Sequence, residues 1–285
     1  MALNEAGYVD GPSTCTISTA ERLRRLQHHQ SAWKDLSWTR LDSYSIDHRT
    51  GTYELYGGVY AQGLESLTDS TSEGTRGLEL IEFPSVLRNQ TEGHKWRIPD
   101  FGFDVKDFGM DPDKNLLVLM EKPPKKSTTQ PNPPLSVHLL ALRDPDSKPH
   151  PLAEQPILYY QPRIWHRKYH YWVQVVGDLL AVMFMPEVRQ QDEAISDQLL
   201  DEVVIWKWKT GKVVTSIRCE PGYDSASFSF LTNDIVVIPC TKDETVPELR
   251  LYQLPATSTA SQASEGSSEA STLLAIFHFP EFTDS

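Results

Sequence analysis

The chain has 285 residues, of which 39% are hydrophobic and 10% aromatic, enough to build a sizeable core and to exclude wholesale disorder. Its formal net charge is −12 and its pI is near 5.2, a surface that repels phosphate backbones and anionic membrane faces, so neither nucleic acid nor membrane is an expected partner. The three cysteines, Cys15, Cys219 and Cys240, are far apart with no C-x-x-C spacing, which fits small buried thiols in a reducing compartment. Met1 to Asp10 has no basic segment followed by an apolar one, and the longest apolar run, Leu179 to Met185, is too short for a membrane span. The expected location is intracellular, cytoplasmic or nuclear.

In chain order, Gly7 to Pro12 reads as a turn. Ser18-Thr19-Ala20-Glu21 then forms a capping box, in which the Ser18 hydroxyl accepts from the Glu21 N–H and Glu21 reaches back to the backbone. Good helix formers follow to about Leu36, with Leu23, Leu26, Gln30 and Trp33 on one face. Residues 1–38 are therefore predicted as a turn and an amphipathic helix, and 39–285 as a separate β domain. Its short β runs are rich in Val, Ile, Leu and aromatic residues. Tyr53–Ala61 with Leu78–Phe83 is the first pair, and Asn115–Met120 with Ser136–Leu142 the second. Tyr171–Val176, Leu179–Met185, Val203–Trp208 and Val213–Arg218 come next, then Ser227–Leu231, Ile235–Ile238 and Leu249–Leu254.

These runs repeat. Asp113 to Leu119, Gly177 to Val182 and Thr232 to Ile238 share one shape, a polar turn followed by a wholly apolar strand, and each is followed by a second strand. Their spacing is roughly sixty residues, somewhat longer than the roughly 40–50 of a propeller blade, and the Tyr53–Phe83 pair lies a similar distance upstream. The expected fold is therefore all-β, with about four propeller-like repeats, an incomplete ring allowed, and an N-terminal α-helix. Insertions near 121–134, 186–202 and 256–272 account for the excess length; the first is Pro/Lys-rich, the second acidic and the third a Ser/Thr/Ala tract, and all three are predicted to be disordered.

Val203 to Lys212 (VVIWKWKTGK) resembles the end of a WD-type repeat, with Lys207 where the motif has Asp. Trp206 and Trp208 fall on one strand face and are sized to fill the space between blades, and Thr210-Gly211 supplies a hairpin turn. A resemblance covering nearly the whole chain starts with Leu3 to Pro12, Ile17 to Leu23 and Ala32 to Trp38, and continues through Asp104 to Pro112 with the following NLLVL, Lys148 to Pro151 and Phe228 to Leu231. In that order these segments are similar to the region that follows the F-box in a large family of F-box proteins from mushroom-forming fungi. The resemblance implies a propeller-like region that holds the substrate of a cullin–RING ubiquitin ligase. The F-box itself would precede Leu3 and is lacking, so the ligase adaptor is an expected partner only if an F-box is supplied elsewhere.

The only basic and aromatic cluster is PRIWHRKYHYW, and Arg163, Trp165, His166, Arg167 and Tyr169 within it are candidate anchors for a protein partner, being residue types that dominate interface energetics. Read plainly, the same run is a solvated strand end with its aromatic rings in the core. Asp107, Asp111 and Asp113 superficially suggest a calcium loop, but the EF-hand spacing is not met, and an Asp-rich turn before a buried strand is the expected structure. No G-x-S-x-G elbow or phosphate loop occurs. No catalytic, cofactor-binding or metal-binding residue is expected, and the chain is read as a non-catalytic protein-interaction module. The alternatives are an enzyme on a propeller scaffold with its site in the central channel, or a truncated paralogue without retained activity.

Overall fold

The computed structural model describes residues 16–37, 41–46, 49–65, 74–85, 90–123, 132–163, 165–166, 168–187, 200–221, 223–242, 246–255 and 270–279. The turn expected at Gly7 to Pro12, and most of each expected insertion (124–131, 188–199 and 256–269), lie outside them. The chain divides into two compact units, Met1–Ser45 and Ile46–Ser285.

The first unit carries helix α1, Thr19–Lys34. Ser18 is its N-cap in extended conformation, and its hydroxyl accepts from the Glu21 N–H at 3.2 Å. The Glu21 carboxylate pairs with Arg24 at 2.7 Å and Arg25 at 2.9 Å rather than closing the expected box. Those two guanidinium groups hold its carboxyl down at about 2. Leu26 is buried, whereas Leu23 and Trp33 on the same predicted face are exposed.

The second unit holds seventeen strands among the described residues, all antiparallel. They are β1 Arg49–Tyr56, β2 Val59–Glu65, β3 Thr75–Glu82, β4 His94–Ile98, β5 Val105–Asp111, β6 Leu116–Glu121, β7 Leu135–Ala141, β8 Ile157–Tyr160 and β9 Tyr169–Val176. The series continues with β10 Leu179–Pro186, β11 Glu202–Lys207, β12 Lys212–Arg218, β13 Tyr223–Asp224, β14 Ser229–Phe230, β15 Ile235–Lys242, β16 Val246–Gln253 and β17 Thr272–His278. Pairing groups them into three sheets, but the largest is two meanders joined where Thr75 of β3 meets Val105 of β5. The strands therefore form four meanders: β1–β4, β5–β8, β9–β12 and β13–β17.

Each repeated turn-and-strand unit of the sequence is the second strand of a meander. Gly57-Gly58, Pro112 to Asn115, Gly177-Asp178 and Leu231 to Asp234 are the turns that lead into β2, β6, β10 and β15. Gly57 and Gly58 have φ of +57° and +80°, as a two-residue hairpin turn that matches strand twist requires. The single run expected over Tyr53–Ala61 is thus a hairpin, with Tyr56 paired to Val59 across the turn.

Strand alternation explains why these second strands read as continuous apolar runs. Leu116, Val118 and Met120 face one core, shared with Leu180, Val182, Phe184, Trp206 and Trp208 of the third meander. Leu117 and Leu119 face the opposite core, shared with Val59, Ala61, Leu78 and Leu80 of the first. Leu179, Ala181 and Met183 in turn face Val236 and Ile238 of the fourth. The meanders thus pack face to face in chain order, and each middle one is apolar on both sides. Polar bonds tie them as well: the Tyr160 hydroxyl of β8 donates to Glu202 of β11 at 2.7 Å, and Arg218 of β12 pairs with the same carboxylate at 2.7 Å.

Four strands escape sequence reading: β4 and β5, which carry no strong apolar pattern, and β8 and β17, which are short or apolar runs not singled out among the strand candidates. Asp107 and Asp111 belong to β5, not to the turn expected there; the turn begins at Pro112. Close approach also constrains β3, where a Cβ on Gly77 would lie 2.5 Å from the carbonyl oxygens of both Ile98 and Pro99. Those atoms are backbone and cannot swing away. Gly77→Ala is expected to lower stability by about 1–3 kcal/mol, read as a reduced urea midpoint. An unchanged midpoint would show that β3 and the end of β4 do not approach this closely.

Candidate functional site

The first strands of the first three meanders are neighbours, β1 beside β5 and β5 beside β9, and β9 lies beside β14, which pairs with β15 in the fourth. Gln174 of β9 fixes the last of these contacts, donating to the Phe228 carbonyl at 3.2 Å and accepting from the Phe230 N–H at 3.2 Å. Gly109 of β5 fixes the second, because a Cβ there would sit 2.9 Å from Cβ and Cγ1 of Val173. Converging in this way, β1, β5 and β9 line an open groove of about 490 Å³.

Tyr53, Glu54 and Tyr56 come from β1, Asp107 from β5, and Tyr171 and Trp172 from β9. Tyr53 is 68% exposed, Tyr56 52% and Trp172 44%, unusually open positions for large rings. Tyr53 is steadied by stacking on Tyr60 at 6.4 Å. Asp107 accepts from the Phe108 N–H at 2.9 Å, the only hydrogen bond recorded to its carboxylate among the described residues. Burial pushes its carboxyl up to about 6, with the Glu54 charge adding to the rise, while the Phe108 N–H, Lys106 and His170 oppose it. The Tyr171 hydroxyl is buried without a hydrogen-bond partner among the described residues, and burial, with the charges of Tyr169 and Asp107, raises its pKa.

The residues singled out in PRIWHRKYHYW lead into β9 just before it reaches the groove. Arg163 is exposed, and Trp165 and His166 are half-buried. The His166 ring lies with Nδ1 2.9 Å from the Lys168 carbonyl oxygen. Tyr169 is a core residue at 2% exposure whose hydroxyl accepts from the His166 N–H at 3.2 Å. Burial pushes the Tyr169 hydroxyl up to about 12. Arg167 lies outside the described residues. The groove residues were missed by sequence reasoning, although one signal was present: Tyr53, Tyr56 and Trp172 are aromatic residues on strand positions whose neighbours do not alternate as a core face would.

Away from the groove, Cys219 and Cys240 are buried free thiols, and the hydrogen bond that the Cys219 thiol donates to Cys240, together with burial, pushes the Cys219 thiol up. Among the described residues no group of three or more His, Cys, Asp and Glu is placed to hold a metal ion, and no helix is long and apolar enough to cross a membrane.

No family model matches the chain, and no curated protein matches it. Several solved structures are similar to it, two of them as follows. One is Kluyveromyces lactis Hsv2 with complete loop 6CD, at 6% identity and a TM-score of 0.47 over 81% of this chain and 62% of that one. The other is a GH43 β-1,3-galactosidase, at 10% identity and a TM-score of 0.26 over 75% of this chain and 58% of that one. The chain thus spans about three fifths of the length of each of these two structures.

Proposed function

We propose that the chain is a non-catalytic protein-interaction module whose four meanders are propeller-like blades, and that a partner protein docks at the groove lined by their first strands. Two features support the blade reading: the four-strand meander recurs at the period of the sequence repeat, and first strands lie next to first strands. The docking reading is carried by the three exposed rings, Tyr53, Tyr56 and Trp172, gathered around one groove; Tyr and Trp dominate the energetics of protein interfaces. By its resemblance to the substrate-binding region of fungal F-box proteins, the partner is a substrate of a cullin–RING ligase, inside the cell. Recruitment of the ligase adaptor would be the work of an F-box and not of this region.

The test is affinity purification of the tagged chain from fungal cells, beside a Tyr53→Ala/Trp172→Ala variant checked for an unchanged melting curve. The wild type is expected to recover a discrete set of proteins that the variant loses by about tenfold or more. The same set from both forms, or chaperones alone, would sink the docking reading. Ligase adaptor and cullin in the wild-type sample would support the ligase assignment, and a partner set without them would leave a stand-alone binding module.

A further inference from the structure

We propose that the groove receives a cationic side chain, arginine or lysine, of the partner polypeptide, with Asp107 and Glu54 as its counter-charges and Tyr53, Tyr56 and Trp172 as its walls. This rests on the docking reading above and names what is recognised there.

Charge selects the ligand. Glu54 on β1 and Asp107 on β5 bring two carboxylates to one groove, and the Glu54 charge adds to the rise that burial imposes on the Asp107 carboxyl. An anionic ligand would add repulsion, and a neutral apolar one would seal Asp107 away from water with a single backbone hydrogen bond. A cation relieves both. Lys106 and His170 act on Asp107 from β5 and β9, yet its carboxyl still stays well above the ordinary carboxylate range, so these neighbours do not neutralise the site. Tyr171 supplies the second observation. Its hydroxyl is buried and unpartnered among the described residues, on a residue that lines the same groove and feels the Asp107 charge. A guanidinium or ammonium N–H is the donor that this oxygen lacks. Aromatic faces complete the match, because a cation is drawn to the face of Trp and Tyr, and a planar guanidinium also stacks there.

The test is an array of immobilised hexapeptides in which one guest residue is set among glycines and serines, probed with the full chain at low salt. Arginine or lysine guests are expected to retain the chain about tenfold more than citrulline or norleucine guests, and the ratio of the two separates a guanidinium from an ammonium preference. Asp107→Asn should abolish the preference for charge, Glu54→Gln should weaken it, and Trp172→Ala should reduce retention on every basic peptide. Equal retention on arginine and citrulline, no retention on any peptide, or a charge preference that survives both carboxylate variants would each overturn the proposal. If purified partners still depend on Trp172 while charge has no effect, the docking reading stands and the cationic one fails; if neither dependence is seen, both fail.

Discussion

Trp206→Ala is expected to lower the stability of the β unit by about 3–5 kcal/mol. The side chain is 1% exposed and lies in the core between the second and third meanders, edge-on to Phe184 at 6.4 Å between centroids. Trp208, in the turn just after β11, flanks it in the same core, with its Nε1–H donating to the Gly177 carbonyl at 3.2 Å and the His150 ring against its edge at 4.9 Å. Phe184 sits on β10, whose backbone is tied to β9 on one side and β11 on the other, so it cannot collapse into the space that the indole leaves. A domain typically has only about 5–15 kcal/mol in hand, so the variant should lose much of its urea midpoint and accumulate as aggregate. Trp33→Ala in α1 is the control: the ring is 63% exposed, and the loss should stay within about 0.5 kcal/mol. Equal midpoints for Trp206→Ala and the wild type would mean that the second and third meanders do not share this core.

Asp107→Asn is expected to act in the opposite direction, raising stability at pH 7 by about 2–3 kcal/mol. Burial pushes the Asp107 carboxyl up to about 6 from an ordinary value of 3.8. Below pH 3.8 the group is protonated in folded and unfolded chains alike, and there is no penalty. Between 3.8 and about 6 the unfolded chain gives up the proton while the folded chain keeps it, so rising pH favours unfolding. Above about 6 the folded chain ionises too, and the penalty stays constant. Asparagine keeps an oxygen to accept from the Phe108 N–H and has no charge to bury. The difference between variant and wild type in urea denaturation should therefore be largest at pH 7 and vanish below about pH 3. A difference independent of pH would mean that Asp107 is solvated. The same variant should lose the proposed ligand, so stability and binding move in opposite directions at one residue, as expected where a functional group is held at a cost to the fold. Binding of a cationic peptide by the wild type should weaken as pH falls through about 6, since the protonated acid no longer offers a counter-charge; Glu54, Lys106 and His170 face the same group and shape that profile.

How much was legible in the sequence follows from what kind of force sets each feature. Of the second strands β2, β6, β10 and β15, the two in the middle meanders, β6 and β10, are covered on both faces, so nearly all their positions must be apolar and they stand out as runs. Their turns are equally legible, because a tight hairpin needs positive φ and only Gly or Asn takes it readily, as at Gly57-Gly58, Asn115 and Gly177. The Ser18 cap is local for the same reason: its acceptor and donor lie three residues apart. All-β class, period and the N-terminal helix were therefore determined by composition and short-range pattern alone.

Only the tertiary structure decided the rest. β5 reads VKDFGMD, poor in β-formers, and it is a strand because β6 pairs with it and because Gly109 lets it close on Val173. β17 pairs with β16 across 256–269, a separation over which no local signal acts. The groove is the clearest case. Tyr53, Asp107 and Trp172 span more than a hundred residues of sequence, and each looks ordinary alone. What joins them is the adjacency of first strands from different meanders, set by how one sheet packs on the next. The unsatisfied Tyr171 hydroxyl and the raised Asp107 carboxyl arise from burial, which is a property of the packed assembly of strands and of no single segment within it.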